Sequence, residues 1–340
     1  MNKLKFFSTA FLTSVTFVFA QDLSQARKAV DAEQYENAKS ILKSIIKTNP
    51  IDGRANFILG NVYLIQSVTD SAKIAYQNGL TGKEGARLNY IGLGTLDLDN
   101  GNPTAAEANF ALALKDTKKK DIEELVAIGR SYTNSSKPNY KKALEVLNKA
   151  KLINPNDAIL QLALGDAFFG DKNQNEAYAA YRNAFQFDPT LLRAKMQLGV
   201  LLKGAKSYDE AIKSFNEVIA LNASYGPVYR ELAETYYKWG RNKPSKSSEY
   251  MQTAITYYEK YLGLTDHSLH SRMRHADFLV LVKDYKALEA EANKMIEMDK
   301  VNPRIFRYLG YSAYENGNAD LAIKSLESFI ANPVNKVIAK

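Results

Sequence analysis

A small residue at a fixed interval is the feature that most restricts this chain. Gly60, Gly94, Gly129, Gly165, Gly199, Ala233, Ala276 and Gly310 recur at steps of 34, 35, 36, 34, 34, 43 and 34 residues. A second series, Ala38, Ala72, Ala106, Ala143, Ala177, Ala211, Ala254, Leu288 and Ala322, steps by 34, 34, 37, 34, 34, 43, 34 and 34. Two independent series on one period make the 340 residues one array of small units rather than two or three domains. A unit that short buries its apolar face only against its neighbours.

Each unit reads as helix, turn, helix, stop. In the fifth, Leu160, Leu164 and Phe168 share one helical face, and Gly170-Asp171-Lys172-Asn173 breaks the helix. Ala177, Tyr181 and Ala184 then mark a second face, which ends at Asp188-Pro189. Proline disfavours the helical region for the residue before it, and the same stop stands at Asn49-Pro50, Asn154-Pro155, Asn302-Pro303 and Asn332-Pro333. Antiparallel helices approach closely where facing residues are small, so Gly165 is expected to face Ala177, with Phe168 and Tyr181 alongside.

Leu164-Gly165-x-x-Phe168 followed by Asn173, Ala177, Tyr181, Ala184 and Pro189 resembles the tetratricopeptide repeat. Leu198-Gly199 with Tyr208, Ala211, Phe215 and Val218 repeats the pattern, as does Leu309-Gly310 with Gly317, Ala322, Leu326 and Phe329. The resemblance covers nearly all of residues 22–336. It departs where the aromatic expected ahead of the Leu-Gly pair is missing, where Leu288 replaces a small residue and where Ala223 replaces the terminal proline. It implies an all-α, right-handed α-solenoid of about nine hairpins. Their bounds are expected near 21–52, 53–86, 87–121, 122–156, 157–190, 191–224, 225–267, 268–302 and 303–336, with 337–340 a tail or the start of a truncated further repeat.

In such solenoids the first helix of each unit lines the concave surface. Counting from the anchors, the groove-facing set includes Arg130, Asp166, Arg193, Met196, Lys203, Arg230, Glu234 and Tyr237. Further on it includes Met273, Asp277, Arg304, Arg307, Tyr311 and Tyr314. Arg and Tyr carry binding energy out of proportion to their area, which favours Arg193, Lys203, Arg230, Tyr237, Arg304, Arg307, Tyr311 and Tyr314 as partner contacts. The period stretches between Gly129 and Ala143 and, more, between Ala233 and Ala254, so the extra residues are expected in hairpin turns on one rim. The larger, nine-residue insertion brings Trp239, Arg241 and Lys243 to that rim, as a docking patch or as a solvated loop with Trp239 packed beneath.

The start has the layout of a secretory signal peptide. Lys3 and Lys5 precede an uncharged run from Phe6 to Phe19, and Val18 and Ala20 suit a cut before Gln21. The run falls short of the roughly 20 residues that span a bilayer, so an exported chain is expected, periplasmic or outer-membrane-associated if the source is Gram-negative. The similarity then extends to exported envelope repeat proteins. With no cysteine there is no disulfide, thiolate metal site, cysteine nucleophile or lipidated cysteine.

No nucleophile elbow, phosphate loop or zinc-helix motif occurs, and Gly92-Leu93-Gly94 is explained by its place in the repeat. His267, His270 and His275 cluster without metal-ligand spacing, and paired acids such as Glu123-Glu124 sit on helix surfaces. No enzyme, cofactor or metal is therefore expected. The net charge of +8 includes the run Lys118-Lys119-Lys120, but export argues against a nucleic-acid partner. The expected function is a scaffold holding a protein or peptide, with peripheral membrane-complex association and no mature membrane span. A glycan-binding envelope protein and a regulatory arm of a separate enzyme are the rivals.

Overall fold

The computed structural model describes residues 22–82, 85–115, 117 and 121–331. The leader at 1–20, the lysine run at 118–120, the stop at Asn332-Pro333 and the tail lie outside the described residues. Every regular element among the described residues is a helix. The chain forms two compact units, Met1–Glu231 and Leu232–Lys340, here unit 1 and unit 2.

Unit 1 holds α1 (22–31) and α2 (Tyr35–Thr48), α3 (Gly53–Ile65) and α4 (Thr69–Gly79), and α5 (Ala86–Asp99) and α6 (Pro103–Leu114). It continues with α7 (Glu123–Asn134), α8 (Tyr140–Ile153), α9 (Ala158–Gly170), α10 (Gln174–Phe187), α11 (Leu192–Gly204) and α12 (Tyr208–Leu221). The helix α13 (Gly226–Asn242) begins in unit 1. Unit 2 continues with α14 (Ser247–Leu264), α15 (Leu269–Val282), α16 (Tyr285–Met298), α17 (Pro303–Glu315) and α18 (Ala319–Ala331). Paired in order, these are nine hairpins of an α-solenoid.

The stop signals also start the next helix. After Asn49-Pro50 and Asn154-Pro155, the Asp52 and Asp157 side chains accept from the Ala55 and Leu160 amides, each at 2.8 Å. Asn302 caps α17 in the same way. Such caps satisfy amides that the helix leaves without a partner. The missing aromatics have a use here. Asn56 and Gln161, four residues before Gly60 and Gly165, donate to the Pro50 and Pro155 carbonyls at 3.1 and 2.7 Å. Tyr229 does the same to the Ala223 carbonyl at 2.9 Å.

The hairpin turns carry the period in the backbone. Glu33, Ser67, Gly101, Lys172, Lys206, Lys283 and Gly317 all have positive φ. Most are not glycine, so those turns accept the strain of a left-handed residue in exchange for a tight reversal.

The glycine anchors face a large apolar side chain of the second helix, a ring at Gly60, Gly94, Gly165 and Gly199 and a leucine at Gly129 and Gly310. A Cβ on Gly165 would stand 2.5 Å from the Tyr181 ring, and one on Gly199 2.5 Å from Phe215. The expected Gly165–Ala177 pairing is thus displaced by one helical turn. The glycine makes room for the aromatic of the second helix, and Ala177 is fully buried beside it. Tyr181, Phe215 and Tyr76 are fully buried this way, as large apolar plugs between helices.

The larger insertion is not a loop. Its residues lengthen α13 to 17 and α14 to 18 residues, joined by a one-turn 3-10 helix at Pro244–Lys246. Gly240 is tolerated inside α13, and Pro244 sits at the start of its short helix, where its missing N–H costs nothing. No helix among the described residues is long and apolar enough to cross a membrane.

Candidate partner-binding faces

In unit 1 the first helices α1, α3, α7, α9 and α11 turn charged side chains toward one another. Arg193 of α11 pairs with Asp166 of α9 at 2.9 Å, and the Tyr181 hydroxyl donates to Asp166 at 3.0 Å. Burial acts to lower the Arg193 pKa, but the Asp166 carboxylate outweighs it and holds the guanidinium above its ordinary range. Burial and the same carboxylate push the Tyr181 phenol up.

The first two hairpins reach other acids and cations of the unit across long stretches of sequence. Arg54 of α3 forks onto Glu123 of α7, at 2.5 and 2.8 Å, and Arg27 of α1 approaches the same carboxylate at 3.9 Å. Asp31 lies beside Arg193, Tyr225 and Arg130, and its pKa is raised, by burial above all. Glu33, in the strained turn after α1, accepts from Arg230 at 2.5 Å. Arg230 also donates to Glu231 at 3.1 Å, and Lys203 donates to Glu231 at 2.6 Å. Burial alone would raise the Glu231 pKa, yet the two cations pull it below the ordinary value.

Of the groove-facing set in unit 1, Arg193, Lys203 and Arg230 therefore meet acids of the unit itself, and Met196 is buried. Asp31, Glu33 and Tyr225 were outside that set. Nothing in the 34-residue pattern marks them, because their partners lie far along the chain.

Unit 2 presents a different surface. On α17, Arg304, Arg307, Tyr311 and Tyr314 share one face at steps of three, four and three. Tyr311 and Tyr314 are 46% and 71% exposed. Asp277 of α15 holds the base of this stripe. It accepts from the Tyr308 hydroxyl at 2.6 Å and from Arg304 at 3.0 Å, with Arg307 4.0 Å away. The guanidinia of Arg304 and Arg307 also lie over the Tyr308 ring. Burial and the bond to Asp277 push the Tyr308 phenol up to about 12. Asp277 thus fixes two arginines beside two outward-facing tyrosines.

The remaining expected residues are placed as follows. Tyr237 is half-buried, edge-on to Phe278, and donates to the Leu281 carbonyl at 3.3 Å. Trp239 packs on Tyr250 and Tyr236, with ring centroids 4.6 and 6.3 Å away. Arg241 and Lys243 are exposed over the Tyr237 and Trp239 rings. Met273 is buried. His275 is buried against Tyr258 and 3.8 Å from Glu291, while the His270 imidazole accepts from Arg274 at 2.9 Å.

Tetratricopeptide-repeat models match residues 23–81, 192–225 and 306–333. The chain is similar to a peroxisomal targeting signal receptor of Candida albicans, 24% identical over 216 residues. That match takes in 59% of this chain and 36% of the receptor, so the chain spans about a third of the relative's length. Among solved structures it resembles human IFIT1 as a dimer with m7Gppp-AAAA, at a TM-score of 0.50 and 16% identity, covering 91% of this chain and 71% of that one. A monomeric IFIT1 mutant with Gppp-AAAA gives 0.51 and 16%, over 87% and 67%. At this identity the likeness is one of fold. The matched segments fall in both units and are tetratricopeptide repeats, and the hairpins between them share their turns and anchors.

Proposed function

We propose that the chain is a non-catalytic scaffold that holds a protein or peptide partner, and that the α17 face of unit 2 makes the contact. The observation that carries this is the pairing of exposed Tyr311 and Tyr314 with Arg304 and Arg307, which Asp277 and Tyr308 hold in place. Tyrosine and arginine bury large contact area for few lost rotamers, and a preorganised guanidinium binds carboxylates without first being ordered. The partner chemistry that fits is a peptide surface with acidic and apolar side chains. The repeat fold supports a protein-binding role, and the leader composition supports an exported setting.

The test is recovery of partners by the purified chain from envelope and cytosolic extracts in parallel. Tyr311→Ala/Tyr314→Ala is expected to lose the partners that the parent chain recovers, at unchanged stability, and Lys324→Glu on the exposed side of α18 is expected to retain them. Equal loss from both faces contradicts the assignment to α17. Partners found only in the cytosolic extract contradict the exported setting.

A further inference from the structure

Of the three histidines in unit 2, one is buried with a ring nitrogen to spare. His267 is exposed, and the His270 imidazole is engaged by Arg274. His275 of α15 is 8% exposed, and its Nδ1 is buried with no hydrogen-bond partner among the described residues. A buried polar atom left unpaired is costly, so its position calls for a reason.

A carboxylate faces that nitrogen. Glu291 of α16 is buried and places Oε2 3.8 Å from His275 Nδ1. Its other oxygen, Oε1, accepts from Arg272 of α15 at 2.7 Å. Lys294, one turn further on α16, keeps its ammonium 4.0 Å from Oε2 on an exposed side chain. From α14 the Tyr258 ring stacks on the imidazole, with centroids 5.7 Å apart, and its hydroxyl donates to the Arg274 carbonyl at 3.0 Å. The titratable and charged groups around His275 are thus Tyr258 of α14, Arg272 of α15, and Glu291 and Lys294 of α16.

A charge-assisted bond between imidazolium and carboxylate spans about 2.7–2.9 Å, so the gap of 3.8 Å is about one ångström too long. An imidazole whose proton sits on Nε2 turns the Nδ1 lone pair toward the carboxylate, and two acceptors do not bond. A second proton, on Nδ1, turns the same contact into a donor facing an acceptor. We propose that His275 and Glu291 form a proton-operated latch between α15 and α16. Below neutral pH the imidazole gains a proton on Nδ1, donates that N–H to Glu291 Oε2 and draws the two helices together; above it the latch is open.

Histidine ordinarily titrates near 6.5 and glutamate near 4.3, which leaves a window in which imidazolium and carboxylate coexist. Burial alone would raise the Glu291 pKa, yet His275 and Arg272 pull it below the ordinary value, so the carboxylate stays charged across that window. Burial and the Arg272 guanidinium oppose the imidazolium. The carboxylate facing Nδ1 favours it, and in a site screened from water that contact decides. The folded chain then binds this proton more tightly than the unfolded one, so unit 2 gains stability as pH falls through the histidine range. The gain is lost again once Glu291 itself is protonated.

The test follows the histidine ring resonances of the full chain from about pH 8 to about pH 5, with His267 and His270 observed alongside. The His275 signals are expected to titrate, with Nδ1 taking the proton, and Glu291→Gln is expected to lower the midpoint by about one pH unit, about tenfold weaker proton binding. Urea denaturation at the two ends of that range compares the parent with His275→Gln. The parent is expected to gain at least about threefold in its folding constant over the variant on acidification. A His275 ring that does not titrate, or an Nδ1 still bare at about pH 5, would overturn the latch on the parent chain alone. An unchanged midpoint in Glu291→Gln would overturn Glu291 as the partner. A gap between parent and His275→Gln that stays constant or narrows in acid would show that burial holds the ring neutral instead.

Discussion

Arg230 and Glu33 are 197 residues apart in sequence and hydrogen-bonded at 2.5 Å. Their side chains are only 10% and 12% exposed, and Arg230 simultaneously serves Glu231. This bond joins the first hairpin to the start of α13 within unit 1.

Breaking that bond has a defined cost. Arg230→Ala removes the guanidinium that both Glu33 and Glu231 accept from, so unit 1 is expected to lose about 3 kcal/mol, as when one partner of a buried pair is removed. Urea denaturation measures it. The double variant Arg230→Ala/Glu33→Ala is expected to lose less than the two single changes added together. Additive losses would show that the two residues do not act on each other.

Two glycines in neighbouring hairpins are expected to respond with opposite sign. Gly165→Ala drives a methyl into the Tyr181 ring and is expected to destabilise by about 1–3 kcal/mol. Gly204, the last residue of α11, has nothing within 4 Å of an added Cβ, so Gly204→Ala is expected to stabilise by about 0.4–1 kcal/mol. Thermal melts of the two variants decide it.

Acid is expected to weaken both units. Glu231 in unit 1 and Glu291 in unit 2 are held below the ordinary value of 4.5 by adjacent cations, against the raising effect of burial. Unfolded chains bind those protons first as pH falls, so the stabilisation is complete above 4.5 and is lost as pH drops through the folded values. Asp31 is raised instead, and its ionised form is the one that folding disfavours. Asp31→Asn is therefore expected to stabilise unit 1 at neutral pH and to have less effect in acid. Stability curves against pH for the parent and this variant check both signs.

The rim insertion is expected to matter for folding. Trp239→Ala removes the ring wedged between Tyr236 and Tyr250 and is expected to cost about 2 kcal/mol, less than for a fully buried aromatic. Arg241→Glu, on an exposed side chain, is expected to change stability by no more than about 0.5 kcal/mol. A calorimetric scan separates the two.

The solenoid was legible because 34-residue spacing is written into small and aromatic residues that must meet, as Gly165 meets Tyr181. The insertion was misjudged for a local reason. Trp-Gly-Arg-Asn-Lys-Pro has the composition of a turn, yet its first four residues continue α13, where the Trp239 ring gains Tyr250. Arg193 and Asp166 were both singled out by their spacing from the anchors. Their ion pair, and the contact of Glu33 with Arg230, depend on how far successive hairpins rotate, and repeat spacing holds no record of that angle. The exposure of Tyr311 and Tyr314 depends on the same rotation.

The most direct measurement of the central claim is site-specific photocrosslinking in the native cell, with the photoreactive residue at Tyr314 on α17 or at Ile323 on α18, both exposed. A discrete protein adduct at position 314, absent at 323 and lost when Arg304→Gln/Arg307→Gln is added, is the predicted result. Adducts at 323 alone, or adducts at 314 that persist without the two arginines, would contradict it.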